Sequence, residues 1–106
     1  MAVIGIDLDG VLCSEEKTFE KTLAVINPGA REFTLEARRA GHTIVVWTAR
    51  GWEQYRATLR WLEDNGIEFD QLIMGKPIFD VFIDDRAVAH KSWPLSRQEV
   101  SSRVLL

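Results

Sequence analysis

Two aspartates one residue apart, Asp7 and Asp9, follow the apolar run Val3-Ile4-Gly5-Ile6 and precede Gly10. A second acid pair, Asp84-Asp85, follows Val81-Phe82-Ile83. Between the pairs lie Thr48, after a run beginning at Thr43, and Lys76, after Phe69 to Gly75. Carboxylates crowded into one crevice repel by about 4 kcal/mol per pair at ~4 Å and an effective dielectric near ~20, so they protonate or bind a cation. Oxygen-only ligands at an open rim favour a hard ion, and Mg²⁺ fits best. With that ion, Lys76, the Thr48 hydroxyl and the turn amides around Leu8 to Gly10 and Ala49, the crevice suits an anion, and phosphate is the obvious guest. A carboxylate can attack phosphorus to give an aspartyl-phosphate that water then hydrolyses. Asp7 takes that role; Asp9, two residues on, handles the protons of the leaving group and of the water. The cation and Lys76 neutralise charge on the phosphoryl group in transit.

For these residues to meet, they must end strands of one sheet. Val3–Ile6, Thr43–Thr48, Phe69–Met74 and Val81–Ile83 read as four strands, the first a run that a parallel sheet would bury on both faces. Asn27 as N-cap and Pro28 at the first helical position open a helix carrying Ala30, Phe33, Ala37 and Ala40 inward, and Gly41 ends it. A second helix runs from about Glu53 to Asp64 with Tyr55, Leu59 and Leu62 inward, and Asn65-Gly66 closes it. Pro94 starts a last helix, and the apolar Val104-Leu105-Leu106 must pack on this subunit or on another, a homo-oligomer being one outcome. Residues 11–26 read as a loop or small flap near the site. Alternating strands and helices imply an α/β fold, a Rossmann-like, doubly wound, mainly parallel sheet flanked by helices. All the chemical residues then line the carboxyl edge of that sheet, where ligands of open α/β sheets bind.

The 106 residues give one domain, 1–106, with 46% hydrophobic content and a net charge of -3 that offers no footprint for duplex nucleic acid. One cysteine, Cys13, excludes an internal disulfide and suggests a reducing, cytoplasmic setting, with the thiol a buried filler. No apolar run reaches ~18 residues, so neither a membrane span nor a leader is expected. An EF-hand loop would need an oxygen ligand where Val11 stands, and no G-x-x-x-x-G-K-[ST] string occurs. His42 and His90 read as surface or packing residues.

The strings D-L-D-G-V at 7–11, W-T-A-R at 47–50, G-K-P at 75–77 and I-D-D-R-A at 83–87 stand in the order of one known family. The chain resembles the haloacid dehalogenase superfamily of phosphohydrolases. That resemblance implies Asp7 as nucleophile and Asp9 as acid/base, with phosphate contacts from Thr48 and Lys76. It also implies Mg²⁺ held by Asp7, the Asp9 carbonyl and Asp84, with Asp85 in support. Asp9 points to a phosphatase, since family dehalogenases lack an acid there and ATPase pumps carry Thr. Two subgroups look closest, small capsule-biosynthesis phosphatases and the phosphatase domain of phage polynucleotide kinase. Only three residues, 78–80, separate Pro77 from the fourth strand, so no cap domain is expected. The substrate is then a phosphorylated small molecule, a sugar phosphate or nucleotide, with a polynucleotide end as the alternative. Ala49 and Arg50 join Thr48 and Lys76 as substrate contacts, and Trp52 either stands at the lip as a further contact that stacks on a sugar face or a base, or staples the start of the Glu53 helix. Receiver domains of two-component signalling, which hold a phosphoryl group as a signal, and a binding-only relative are the competing classes; steady phosphate release separates the enzyme from both.

Overall fold

The computed structural model describes all 106 residues, the side chains of Thr18 and Phe19 excepted. Three strands, β1 (Val3–Ile6), β2 (Thr43–Trp47) and β3 (Gln71–Ile73), form a parallel sheet in the order β1-β2-β3. Helix α1 (Ala30–Arg39) links the first two strands, α2 (Tyr55–Asp64) the next two, and α3 (Trp93–Ser101) follows. Val3 pairs with Thr43 and Ile6 with Val46, while Val45 pairs with Gln71 and Trp47 with Ile73. This register brings Asp7, Thr48 and Met74 past the same edge of the sheet. The core gathers Ile6, Leu8, Leu12, Ile44, Val46, Leu62, Leu72 and Met74 under Phe33, Trp61 and Trp93. The expected α/β architecture, a parallel sheet flanked by helices, is the observed one.

The fourth strand is not formed: residues 81–83 have no sheet partner, and Ile83 is 93% exposed. Three apolar residues between Asp80 and Asp84-Asp85 are a short run with acids at both ends. Local contacts hold their flank elsewhere. The Asp84 carboxylate accepts the Arg86 amide at 2.6 Å, and Arg103 donates to the Arg86 carbonyl at 2.8 Å. β1 is therefore an edge strand with Val3 and Gly5 exposed, rather than a strand buried on both faces.

Asn27 does not cap α1. Its amide donates to the carbonyls of Val11 and Cys13, at 2.9 and 3.2 Å, and so ties down the loop after β1. Gly29, in the left-handed region at φ 91°, stands at the N-cap; a Cβ there would fall 2.7 Å from Cβ of Trp93. The α2 face is as read, with Leu62 fully buried and Tyr55 and Leu59 half-buried, and Thr58 and Trp61 join it inside. Ser92 caps α3, its hydroxyl accepting the Leu95 amide at 3.4 Å, with Pro94 in the first turn.

The tail folds back onto its own subunit. Leu106 packs against the core, although the Leu105 side chain stays exposed. His42 accepts the Ala2 amide at Nδ1 (3.0 Å) and its Nε2 meets the Leu105 carbonyl, so one imidazole joins both ends of the chain. No helix among the described residues is long and apolar enough to cross a membrane.

Candidate active site

Asp7 leaves β1 with one carboxylate oxygen accepting the Leu8 amide at 2.8 Å. Its other oxygen lies 3.7 Å from Lys76 Nζ, and both side chains are partly open to solvent. The Lys76 ammonium also sits 5.0 Å from the centroid of the Trp47 ring, so the cation is held between an indole face and a carboxylate. Backbone bonds fix this meeting. The Lys76 amide donates to the Thr48 carbonyl at 2.8 Å and the Gly75 amide to the Arg50 carbonyl at 2.9 Å, joining the turns beyond β2 and β3. Gly75, at φ 76°, supplies the left-handed turn that this junction needs.

Asp9 faces inward. Arg50 grips it with two bonds, Nε to Oδ2 at 3.0 Å and Nη2 to Oδ1 at 2.8 Å, and donates a third from Nη1 to Thr58 Oγ1 at 3.0 Å. Lys21 Nζ adds a contact of 3.4 Å to Oδ1. Burial alone would raise the Asp9 carboxyl, but the bonds and charge of Arg50, helped by Lys21, hold it below the ordinary carboxylate range. Cys13 packs beneath, its thiol 3.8 Å from Asp9 Oδ1, and burial with the Asp9 charge pushes it up to about 12.

The loop that carries Asp9, residues 8–13, is wound on one carbonyl. The amides of Val11, Leu12 and Cys13 all point at the Leu8 oxygen, and the Gly10 amide returns to the Cys13 oxygen at 2.8 Å. Of the amides expected to face an anion, those of Leu8 and Gly10 are thus already used. Those of Asp9 and Ala49 have no acceptor among the described residues.

The structure brings together Asp7, Asp9, Thr48, Arg50 and Lys76, but gives two of them framework positions. Thr48 is fully buried and its hydroxyl accepts the Arg50 amide at 3.2 Å. Arg50 is buried with its guanidinium engaged by Asp9 and Thr58, so its side chain is spent on the loop rather than offered to a substrate. Ala49, between them, is exposed. Trp52 is 62% exposed. Asp84 and Asp85 are not brought in; they ride the exposed segment beyond Pro77. No set of three or more acidic, His or Cys side chains among the described residues is arranged to hold a cation. As placed, the donors do not fit Mg²⁺. Asp7 has Lys76 beside it and Asp9 is turned to Arg50, while the second acid pair lies on a strand that did not form.

Sequence reading missed Lys21. Residues 11–26 do form a small flap, as the 3-10 helix Thr18–Leu23 with an antiparallel bridge between Cys13 and Ile26, and Lys21 reaches from it to Asp9. A lysine in a stretch without apolar periodicity carries no signal for that pairing.

No protein-family model matches the sequence, and no curated relative matches it. Solved structures do share the fold. A crystal structure of a target protein from Vibrio cholerae is 25% identical over 99% of this chain and 91% of that one, with a TM-score of 0.74. A chain of the Pnkp1/Rnl/Hen1 complex is 20% identical with a TM-score of 0.63, covering 79% of this chain but 30% of that one. D,D-heptose 1.7-bisphosphate phosphatase from B. bronchiseptica, crystallised with magnesium and phosphate, is 21% identical with a TM-score of 0.54 over 97% of this chain and 63% of its own. These likenesses show that the chain shares its α/β fold with those proteins, a phosphatase among them.

Proposed function

We propose that the chain is a phosphomonoester hydrolase that works through an aspartyl-phosphate on Asp7. One observation carries this reading: a strand-end carboxylate, partly open, lies 3.7 Å from a lysine held at the same edge by a backbone bond to the neighbouring turn. The unpaired amides of Asp9 and Ala49 beside it are donors for phosphoryl oxygens. The likeness in fold to a phosphatase crystallised with phosphate supports the same reading.

The Asp7 oxygen attacks phosphorus, an acyl phosphate bond forms, and the ester oxygen leaves. Lys76 offsets the charge that gathers on the phosphoryl oxygens. Water then attacks the same phosphorus, the acyl phosphate breaks, and Asp7 is returned. Asp9 is the proton carrier of the cycle. Because Arg50 holds its carboxyl ionised, it is better prepared at rest to accept a hydrogen bond from the attacking water than to protonate the first leaving group.

Mg²⁺ belongs to this reading only if Asp84 and Asp85 travel to Asp7. The measurement is phosphate release from p-nitrophenyl phosphate in excess, with EDTA, then with Mg²⁺. Many turnovers per chain are expected. A single stoichiometric burst would instead mark a phospho-acceptor, and no release at all a binding domain. Mg²⁺ dependence that disappears in Asp84→Asn would show that the segment moves in.

A further inference from the structure

Past Gly51 the chain makes a three-residue 3-10 turn, Trp52–Gln54, that leads into α2. Trp52 is 62% exposed and takes no part in the core, whereas Tyr55 packs against it. The two rings are stacked, with centroids 5.7 Å apart and planes at 24°. Tyr55 is thus a fixed backing and Trp52 an outer layer with its second face open. The indole edge looks toward Gly75, where a Cβ would fall 3.5 Å from Nε1. Gly75 immediately precedes Lys76, whose ammonium meets Asp7. An exposed aromatic plate therefore stands beside the residue that precedes the charged pair's lysine.

We propose that this plate binds a nucleobase, so that the substrate is a nucleoside phosphate; the proposal rests on the phosphatase reading of Asp7 and names the substrate class of that site. A bare indole face backed by a second ring matches a flat aromatic group. Gly75, beside the indole edge, carries no side chain to cover the plate, and the Glu53 carboxylate lies over Gly51, where it could accept from a ribose hydroxyl. Stacking tolerates any base, since every base has a π-face. The base has two sources, a free nucleotide or a nucleic-acid end.

The test is the ratio of kcat/KM for adenosine and uridine 3′- and 5′-monophosphates to that for the matching base-free ribose phosphates. A ratio of about ten or more is expected for the preferred isomer, within the range that a stacked base supplies. Trp52→Ala should bring it near one, and Trp52→Phe should keep most of it. Short single-stranded oligonucleotides with the same terminal phosphate distinguish the sources: preference for them assigns a nucleic-acid end, preference for the mononucleotide a free nucleotide. Calorimetric titration of Asp7→Asn with the same ligands reads binding apart from turnover. Base-dependent binding that Trp52→Ala abolishes, without phosphate release by the wild type, would overturn the phosphatase reading and leave the plate standing. Phosphate release with a ratio near one for every pair would overturn the plate. So would equal losses on both ligand types in Trp52→Ala with a lowered Tm.

Discussion

Two regions of this chain carry acid pairs, and the structure treats them in opposite ways. Asp7 and Asp9 leave a strand paired to β2, and their loop is wound on the Leu8 carbonyl, pinned by Asn27 and closed by Arg50. Asp84 and Asp85 lie in residues 77–92, which carry no helix or strand and expose Ile78, Phe79, Val81, Phe82 and Ile83. The difference is one of hydrogen bonding before it is one of hydrophobicity. Both acid pairs follow apolar β-formers, but only the first run has backbone partners.

The largest effect that this contrast predicts is on catalysis. Asp7→Asn keeps the size of the side chain and removes the nucleophilic charge. Activity should fall by at least ~10³-fold, because nothing else supplies that chemistry. The fold should persist, as circular dichroism would report; a tenth of the activity left in clean protein would end the assignment.

Next comes Arg50→Ala. It strips a buried guanidinium from Asp9 and Thr58 and should cost about 3–5 kcal/mol, the range for breaking a buried pair by removing one partner. Urea denaturation measures this directly. Wild-type midpoints that match the variant would mean that the pair is not what holds the loop.

A smaller effect concerns pH. The Asp9 carboxyl is lowered in the folded chain, so its pair contributes fully above the ordinary carboxylate value of 3.8 and is lost as pH falls through the folded value. Stability of the wild type should therefore decline below about pH 4, and Arg50→Ala, which has no such pair, should decline less steeply there. Parallel acid limbs for the two proteins would contradict this.

The smallest effect is in the second region. Ile83→Ser alters a side chain that is 93% exposed, and should change stability by less than about 0.5 kcal/mol despite replacing a large apolar residue. A drop of several degrees in Tm would mean that residues 81–83 spend their time packed, and would remove the contrast between the two regions.

Three strands, and the positions of Asp7, Thr48 and Lys76 beyond their ends, were legible because they depend on neighbours in sequence. β2 announces itself through Thr43 to Trp47, and Asp7 and Thr48 fall beyond strand ends whichever way the helices pack. Asn27 was misread as a cap since its amide serves equally well in a long-range bond, here to Val11 and Cys13. Thr48 and Arg50 take framework positions that their spacing did not announce: a residue next to a site can support its loop, and burial shows that it does so here. Lys21 and Arg50 find Asp9 across 12 and 41 positions, a distance over which local pattern is silent.

The imidazole of His42 bears on how the protein is made. β1 and β2 can pair once residue 47 has emerged from the ribosome, and β3 can join once residue 73 has. The bond from His42 to Leu105 spans 63 positions and must wait for residue 105, and the Trp93 indole that donates to the Val11 carbonyl at 3.0 Å must wait for residue 93. A nascent chain that stalls after β3 therefore holds its three strands and the bond from Ala2 to His42, yet lacks both the Leu105 bond to that imidazole and the Trp93 brace on the loop bearing Asp9. Such a chain would carry the finished sheet while the loop bearing Asp9 is still unbraced, and the order of synthesis would then set the order in which the two regions become rigid.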